Sequence, residues 1–200
     1  MKMHIAAIAA LTLAAGLVLS GCASTPSQTP SGNADSSDAD SIMLADHGLS
    51  GQDARQIIER LDTMPLADRP ANLIASIRPD QLVLSDDQQR ELSLPMPADQ
   101  FYVSFAPYLS QTHDCYFHSL TTCVGELQNS DIQVKVTNVA TGEVLVEEER
   151  RTFDNGFLGL WLPRDIDATL TVEHQGRTAT LPITTKGDDA ATCLTTLQLV

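Results

Sequence analysis

The stretch Asp131–Val146, DIQVKVTNVATGEVLV, decides the fold. Ile132, Val134 and Val136 alternate with polar residues, and Val144 and Val146 resume the alternation after Ala140-Thr141-Gly142-Glu143. Period two interrupted by a glycine-bearing turn predicts a β-hairpin. The same signal extends in both directions. Downstream, Phe157–Leu162, Thr169–His174, Arg177–Thr184 and Cys193–Leu199 read as strands, with Gln175-Gly176 joining the middle pair. Upstream, Gln81–Leu84, Glu91–Leu94 and Phe101–Tyr108 are short extended runs punctuated by Asp, Ser and Pro. Strands this short, evenly spaced and turn-separated predict an antiparallel β-sandwich over residues 99–200. No stretch supports a parallel βαβ sheet, and no repeat of 20–50 residues is visible.

The signal before residue 80 is different. Ala54, Ile57, Ile58 and Leu61 form one apolar stripe at helical spacing, which predicts a helix over 49–62 with Ser50 as N-cap and Asp53 at N3. A second short helix is expected from Pro70, carrying Leu73, Ile74 and Ile77 and stopped by Pro79. The fold class is therefore α+β: a small helical and mixed unit at 45–98, followed by the β-sandwich.

Residues 1–21 follow the secretory plan, with Lys2, an apolar run from Ile5 to Leu19, and then small residues. The run is short for a spanning helix, which needs about 20 residues. Its end, Leu19-Ser20-Gly21-Cys22, resembles the lipobox of bacterial lipoproteins. That resemblance implies acylation of Cys22 and a mature chain tethered to the outside face of a membrane by durable lipid attachment. Residues 22–44 are rich in Ser, Thr, Pro and Asp, so they read as a flexible acidic tether. Within it, the coil of residues 23–41, about 19 residues long, spans roughly 25 Å.

Loss of Lys2 with the signal takes the net charge from −14 to −15. Such acidity excludes nucleic acid, which demands clustered Lys and Arg, and leaves anchoring to the lipid chains. Gly-rich phosphate cradles, nucleophile elbows and HExxH helices are absent. Asp86-Asp87, Asp188-Asp189 and Glu147–Glu149 read as solvated faces or turns, because no spaced calcium loop surrounds them. Met43, Met64 and Met96 read as core or loop filling, and Trp161 as packing at a strand end.

The loop Ser110–Glu126 is too long for a hairpin turn and holds His113, Cys115, His118 and Cys123. The chain has four cysteines; with Cys22 lipidated, Cys115, Cys123 and Cys193 remain, an odd number that paired disulfides cannot absorb. Three soft sulfurs and an imidazole suit Cu(I). Cys193 lies 70 residues beyond Cys123, so only the fold can assemble such a site. Three plainer readings stand beside it. Cys115 and Cys123 can form a structural disulfide that clips the loop. The set Cys3His can hold zinc, although the usual Cys-x2–4-Cys spacing is missing. His118 can be an ordinary hydrogen-bonded histidine. His113 is a weaker candidate, and His47 and His174 read as surface residues.

The segment Cys115-Tyr-Phe-His118-Ser-Leu-Thr-Thr-Cys123-Val-Gly125-Glu126-Leu127 resembles the hallmark of the CueP family of bacterial periplasmic copper-binding proteins. Cys193-Leu-Thr-Thr-Leu-Gln-Leu is similar to that family's C-terminal cysteine segment, and Asp68-Arg69-Pro70, Arg78-Pro79-Asp80 and Gly156–Pro163 extend the likeness over roughly residues 45–200. The resemblance implies Cu(I) held by Cys115, Cys123 and Cys193 and a part in extracytoplasmic copper resistance; His118, inside the loop, is read as an auxiliary ligand. It further implies reduction of Cu(II) by the thiols and delivery of copper to extracytoplasmic cuproenzymes. Two thiolates supply electrons by forming a disulfide, which an external thiol reductant must reopen. Such a stoichiometric partner is not read as an enzyme. The lipid anchor is a departure, since many relatives look like freely soluble exported proteins. Two other classes compete: a thiol–disulfide oxidoreductase or redox sensor with no dedicated metal, and a structural lipoprotein module.

Overall fold

The computed structural model describes residues 34–200. The signal segment and Cys22 lie outside the described residues. Two helices open the structure, α1 (Ala34–Asp46) and α2 (Ala54–Asp62), followed by a 3-10 turn at Leu66–Asp68. Ten strands follow: β1 (Leu73–Ile77), β2 (Gln81–Asp86), β3 (Glu91–Pro95), β4 (Gln100–Phe105), β5 (Asp131–Asn138), β6 (Val144–Arg151), β7 (Leu158–Pro163), β8 (Asp167–His174), β9 (Arg177–Thr184) and β10 (Cys193–Leu194). They form three sheets, ordered β1-β2-β3, β10-β4-β7 and β6-β5-β8-β9. The chain is α+β, as its hydrophobic periodicity predicts.

The hairpin of β5 and β6 forms as expected, with Val136 opposite Val146 and a bulge after it. Ile132, Val134 and Val136 face inward, and β6 is a polar edge whose Glu147 meets Lys135 across the ladder. A charged edge discourages pairing with other chains. The inner residues of β5 and β8 pack against Phe101, Val103 and Phe105 of β4 and Leu158, Leu160 and Leu162 of β7 to form the sandwich core.

A second core gathers under α1 and α2. Met43, Ile57, Ile58 and Leu61 meet Leu73, Ala75, Ile77, Leu82 and Leu84 of the first sheet. β4 divides the two cores. Its odd-numbered residues point into the sandwich, while Tyr102 belongs to the second core and Ser104 is enclosed beside it. A strand buried on both faces binds the helical unit and the sandwich together.

Four local expectations are corrected. The second helix is absent: Leu73–Ile77 is a strand paired antiparallel to β2, with Leu73, Ala75 and Ile77 buried and Ile74 exposed. Five residues are too few for periodicity to separate helix from strand. The first helix begins later than expected, because its N-cap is Asp53. Asp53 Oδ1 accepts from the Gln56 amide at 2.9 Å, and Gln56 Oε1 accepts from the Asp53 amide at 3.0 Å. This reciprocal box contributes about 1 kcal/mol. α1 runs into the segment that composition assigns to a flexible tether, and Met43 on it is buried in the second core. Finally, the last strand is cut to Cys193–Leu194 and runs parallel to β4, with a further parallel bridge from Gln198 to Tyr108.

Candidate metal centre

The loop after β4 is extended chain sewn onto three neighbours. Ile77 donates its amide to the His118 carbonyl and Leu120 donates to the Ala75 carbonyl, both at 2.8 Å, so residues 118–120 run along the free edge of β1. On its other side the Tyr116 carbonyl accepts the amides of Thr192 and Cys193, each at 3.0 Å. Thr192 closes the triangle, its hydroxyl donating to the Ile77 carbonyl at 2.7 Å and accepting the His118 amide at 3.0 Å. Arg69 then holds the Cys123 carbonyl at 2.8 Å. At the loop's base the Glu126 carboxylate accepts the amides of Leu109 and Ser110, at 2.6 and 3.0 Å. The Ser110 hydroxyl and these amides hold Glu126 at a pKa of about 2. Where the loop leaves, Gly125 and Gly156 lie backbone to backbone. A methyl on either would come within 2.8 Å of the other's carbonyl, and Gly156 has φ +77°.

This stitching brings the predicted side chains together. One donor atom each from Cys115, His118, Cys123 and Cys193 lies within 4.8 Å of every other. Cys193 arrives because β10 lies parallel to β4 under the loop, with Cys193 opposite Ser104. The disulfide that a plainer reading put between Cys115 and Cys123 is instead Cys115–Cys193, with Cα atoms 5.6 Å apart, and Cys123 is the free thiol. The hydrogen bonds from Thr192 and Cys193 to Tyr116 explain this choice, since they hold the two cysteine backbones side by side. The Cys123 sulfur is 3.5 Å from that of Cys115 and accepts the Ser119 amide at 3.4 Å.

His118 is fully enclosed, with its ring 4.5 Å from that of Phe157. Its Nδ1 lies 3.7 Å from the Cys193 sulfur, and its Nε2 lies 3.1 Å from Oδ1 of Asp62. Asp62, itself fully buried at the end of α2, also accepts from the Tyr102 hydroxyl at 2.6 Å and from Asn155 Nδ2 at 3.0 Å. Tyr102 reaches it because Gly159 on β7, which pairs with Ser104 of β4, has no side chain to occupy the place of the phenol. A carboxylate that fixes Nε2 turns Nδ1 toward the sulfurs, the usual outer support of a metal-ligating histidine.

Asp62, Tyr102 and Asn155 escape a reading of the sequence alone. One signal was present: Asp62 is four residues after Ile58 and falls on the buried stripe of α2, where an acid needs a partner.

The electrostatics follow from this enclosure. Burial pushes the His118 pKa down, but the Asp62 charge and hydrogen bond outweigh it and raise the value to about 9. Burial pushes Asp62 up, and His118, Tyr102 and Asn155 together pull it below the ordinary carboxylate value. Burial also opposes ionisation of Cys123, yet the neighbouring His118, then His113 and the Ser119 amide, lower its pKa to about 7. The metal-free protein with its disulfide intact therefore presents a thiol that reacts at neutral pH. Its alkylation by iodoacetamide is expected to follow a titration with a midpoint near pH 7, whereas an unassisted thiol has its midpoint near 9. A rate still climbing between pH 8 and 9 would remove this activation.

The remaining candidates are placed as follows. His113 stands beside Cys123 and 6.0 Å from Phe157, ring to ring. His47 is not a surface residue: its side chain is enclosed 3.8 Å from Asp86. Asp86 is likewise no solvated acid, being held by Arg90 at 2.6 Å. His174 accepts or donates at the rim, 2.8 Å from the Asp131 carbonyl. Met43 and Met96 fill the second core. Trp161 stacks on Tyr102 at 4.7 Å with the Arg55 guanidinium 4.1 Å above it.

Comparison with known proteins follows the same line. The family described as periplasmic copper-binding protein CueP matches residues 56–198. The crystal structure of S.CueP is similar over 81% of this chain and 98% of that one, with 43% identity and a TM-score of 0.75. No curated protein matches.

Proposed function

This chain belongs to the CueP family of periplasmic copper-binding proteins, and from that premise we propose that it binds Cu(I) through Cys115, Cys123 and Cys193 with His118 as auxiliary ligand. One observation carries the reading: three sulfurs and an imidazole from distant parts of the chain converge within 4.8 Å. Once the Cys115–Cys193 bond is reduced, small side-chain shifts bring all four to one ion at bond lengths of about 2.0–2.3 Å. The donor set is soft, as Cu(I) prefers. Enclosure of His118, Cys123 and Cys193 shields the ion from water.

The joined pair Cys115–Cys193 supports a reductive step. Two Cu(II) ions each take one electron, Cys115 and Cys193 lose two as their thiolates join, and two Cu(I) ions result. Cys123 keeps its thiolate. The disulfide then needs two electrons from an external thiol reductant before all three sulfurs can bind again. Cys22 tethers the protein, through lipid, to the outer face of a membrane, and the bound copper passes to extracytoplasmic cuproenzymes.

Titration of the fully reduced protein with Cu(I) against a chromophoric chelator tests the reading. The expected result is one Cu(I) per chain held more tightly than by the chelator. Zinc binding with no measurable Cu(I) affinity would replace copper as the cargo. A native thiol count fixed at one under mild reductant, with no metal bound, would favour the purely structural disulfide.

A further inference from the structure

Three of the four clustered side chains are enclosed, so an incoming ion needs a way in. A cleft lies at the lips of the cysteine loop. Gln111, Thr112 and His113, just before Cys115, face Val124, Gly125 and Glu126, just after Cys123, across a cavity of about 380 Å³. A cavity of that size admits a hydrated ion, since each water takes about 30 Å³. Its donors differ in kind from those behind it. The His113 imidazole suits Cu(II), whereas the sulfurs suit Cu(I).

His113 is the link between the two. Its Nε2 is buried and, among the described residues, has no hydrogen-bond partner. An unmatched buried nitrogen costs about 1–3 kcal/mol, which a ligand at that nitrogen would offset. The same ring stands close enough to Cys123 to help ionise it.

We propose that this cleft is a landing site for Cu(II), in which His113 captures the ion through its imidazole before it passes to the sulfur cluster. The proposal deepens the reading above, on which it rests for the fate of the ion. It assigns to the cleft only capture; the electrons come from the thiols as already balanced.

The test uses the full chain with Cys22→Ser and Cys123→Ser and the Cys115–Cys193 disulfide intact, so that no free thiol remains to reduce Cu(II). With one equivalent of Cu(II), electron spin echo modulation is expected to show an imidazole nitrogen. Adding His113→Gln should abolish that nitrogen and weaken Cu(II) binding at least tenfold, while His174→Gln leaves both intact. A signal that survives His113→Gln, or that vanishes only with His174→Gln, overturns the landing site. Should Cys123→Ser fail to fold by circular dichroism, iodoacetamide-blocked protein carrying Cys22→Ser serves in its place with the same outcomes. In the reduced protein, His113→Gln should also slow Cu(II) consumption in stopped flow at least fivefold. Failure of the reduced protein to retain Cu(I), with the Cu(II) signal still dependent on His113, would sink the three-thiol reading and leave the landing site standing.

Discussion

Cys193→Ser, measured under reducing conditions, is expected to weaken Cu(I) binding by more than 100-fold. Loss of a supporting partner at a metal site commonly costs about 10–100-fold, and loss of a ligand costs at least as much. Reducing conditions matter because the oxidised protein adds a second effect. The Cys115–Cys193 bond closes a loop with a sequence separation of 78, and its removal costs about 4.5 kcal/mol of stability by chain entropy. With all thiols reduced that difference disappears and only the ligand is removed. Chelator competition reads the affinity, and urea unfolding of both proteins in reductant shows whether the folds are equally stable. Full affinity in Cys193→Ser would leave a two-thiol site on the loop alone. Robust turnover of a disulfide substrate by the metal-free protein would instead favour an oxidoreductase.

The second large effect belongs to Asp62. Asp62→Asn keeps the shape but leaves His118 without its counter-charge in a place where neither meets water. Removal of one member of a buried pair costs about 3–5 kcal/mol. The pH dependence identifies the cause. Because folding raises the His118 pKa from 6.5 to about 9, the stability it contributes is complete below pH 6.5 and is lost as pH rises through about 9. The deficit of Asp62→Asn in the metal-free protein should therefore be largest near pH 6 and shrink above pH 9. Urea midpoints at the two pH values measure it, and an equal deficit at both would assign the loss to packing alone.

The sequence made the sandwich legible because its strands are long enough for alternation to repeat, as in Ile132, Val134 and Val136. Leu73–Ile77 is ambiguous in sequence because five apolar-rich residues between Pro70 and Pro79 satisfy both periods, and only pairing with β2 decides between them. The cysteines announced themselves by type and number. Which two would join depended on where β10 came to rest, a tertiary fact carried by Thr192 and the Tyr116 carbonyl. The support around His118 was least visible. Asp62, Tyr102 and Asn155 come from a helix end, a strand and a turn, and no local pattern marks residues that meet only after packing.

β4 shows Phe101, Val103 and Phe105 to one interior and Tyr102 to another, and the cluster of Cys115, His118, Cys123 and Cys193 draws on both sides, with Cys193 paired beside β4 and His118 held by Asp62 of α2. A wall shared by two rooms cannot be moved with either. Neither half can be transplanted to another scaffold and keep this centre, for the sandwich contributes Cys193 while the helical part contributes Asp62. The clustered side chains thus belong to the join, not to a module.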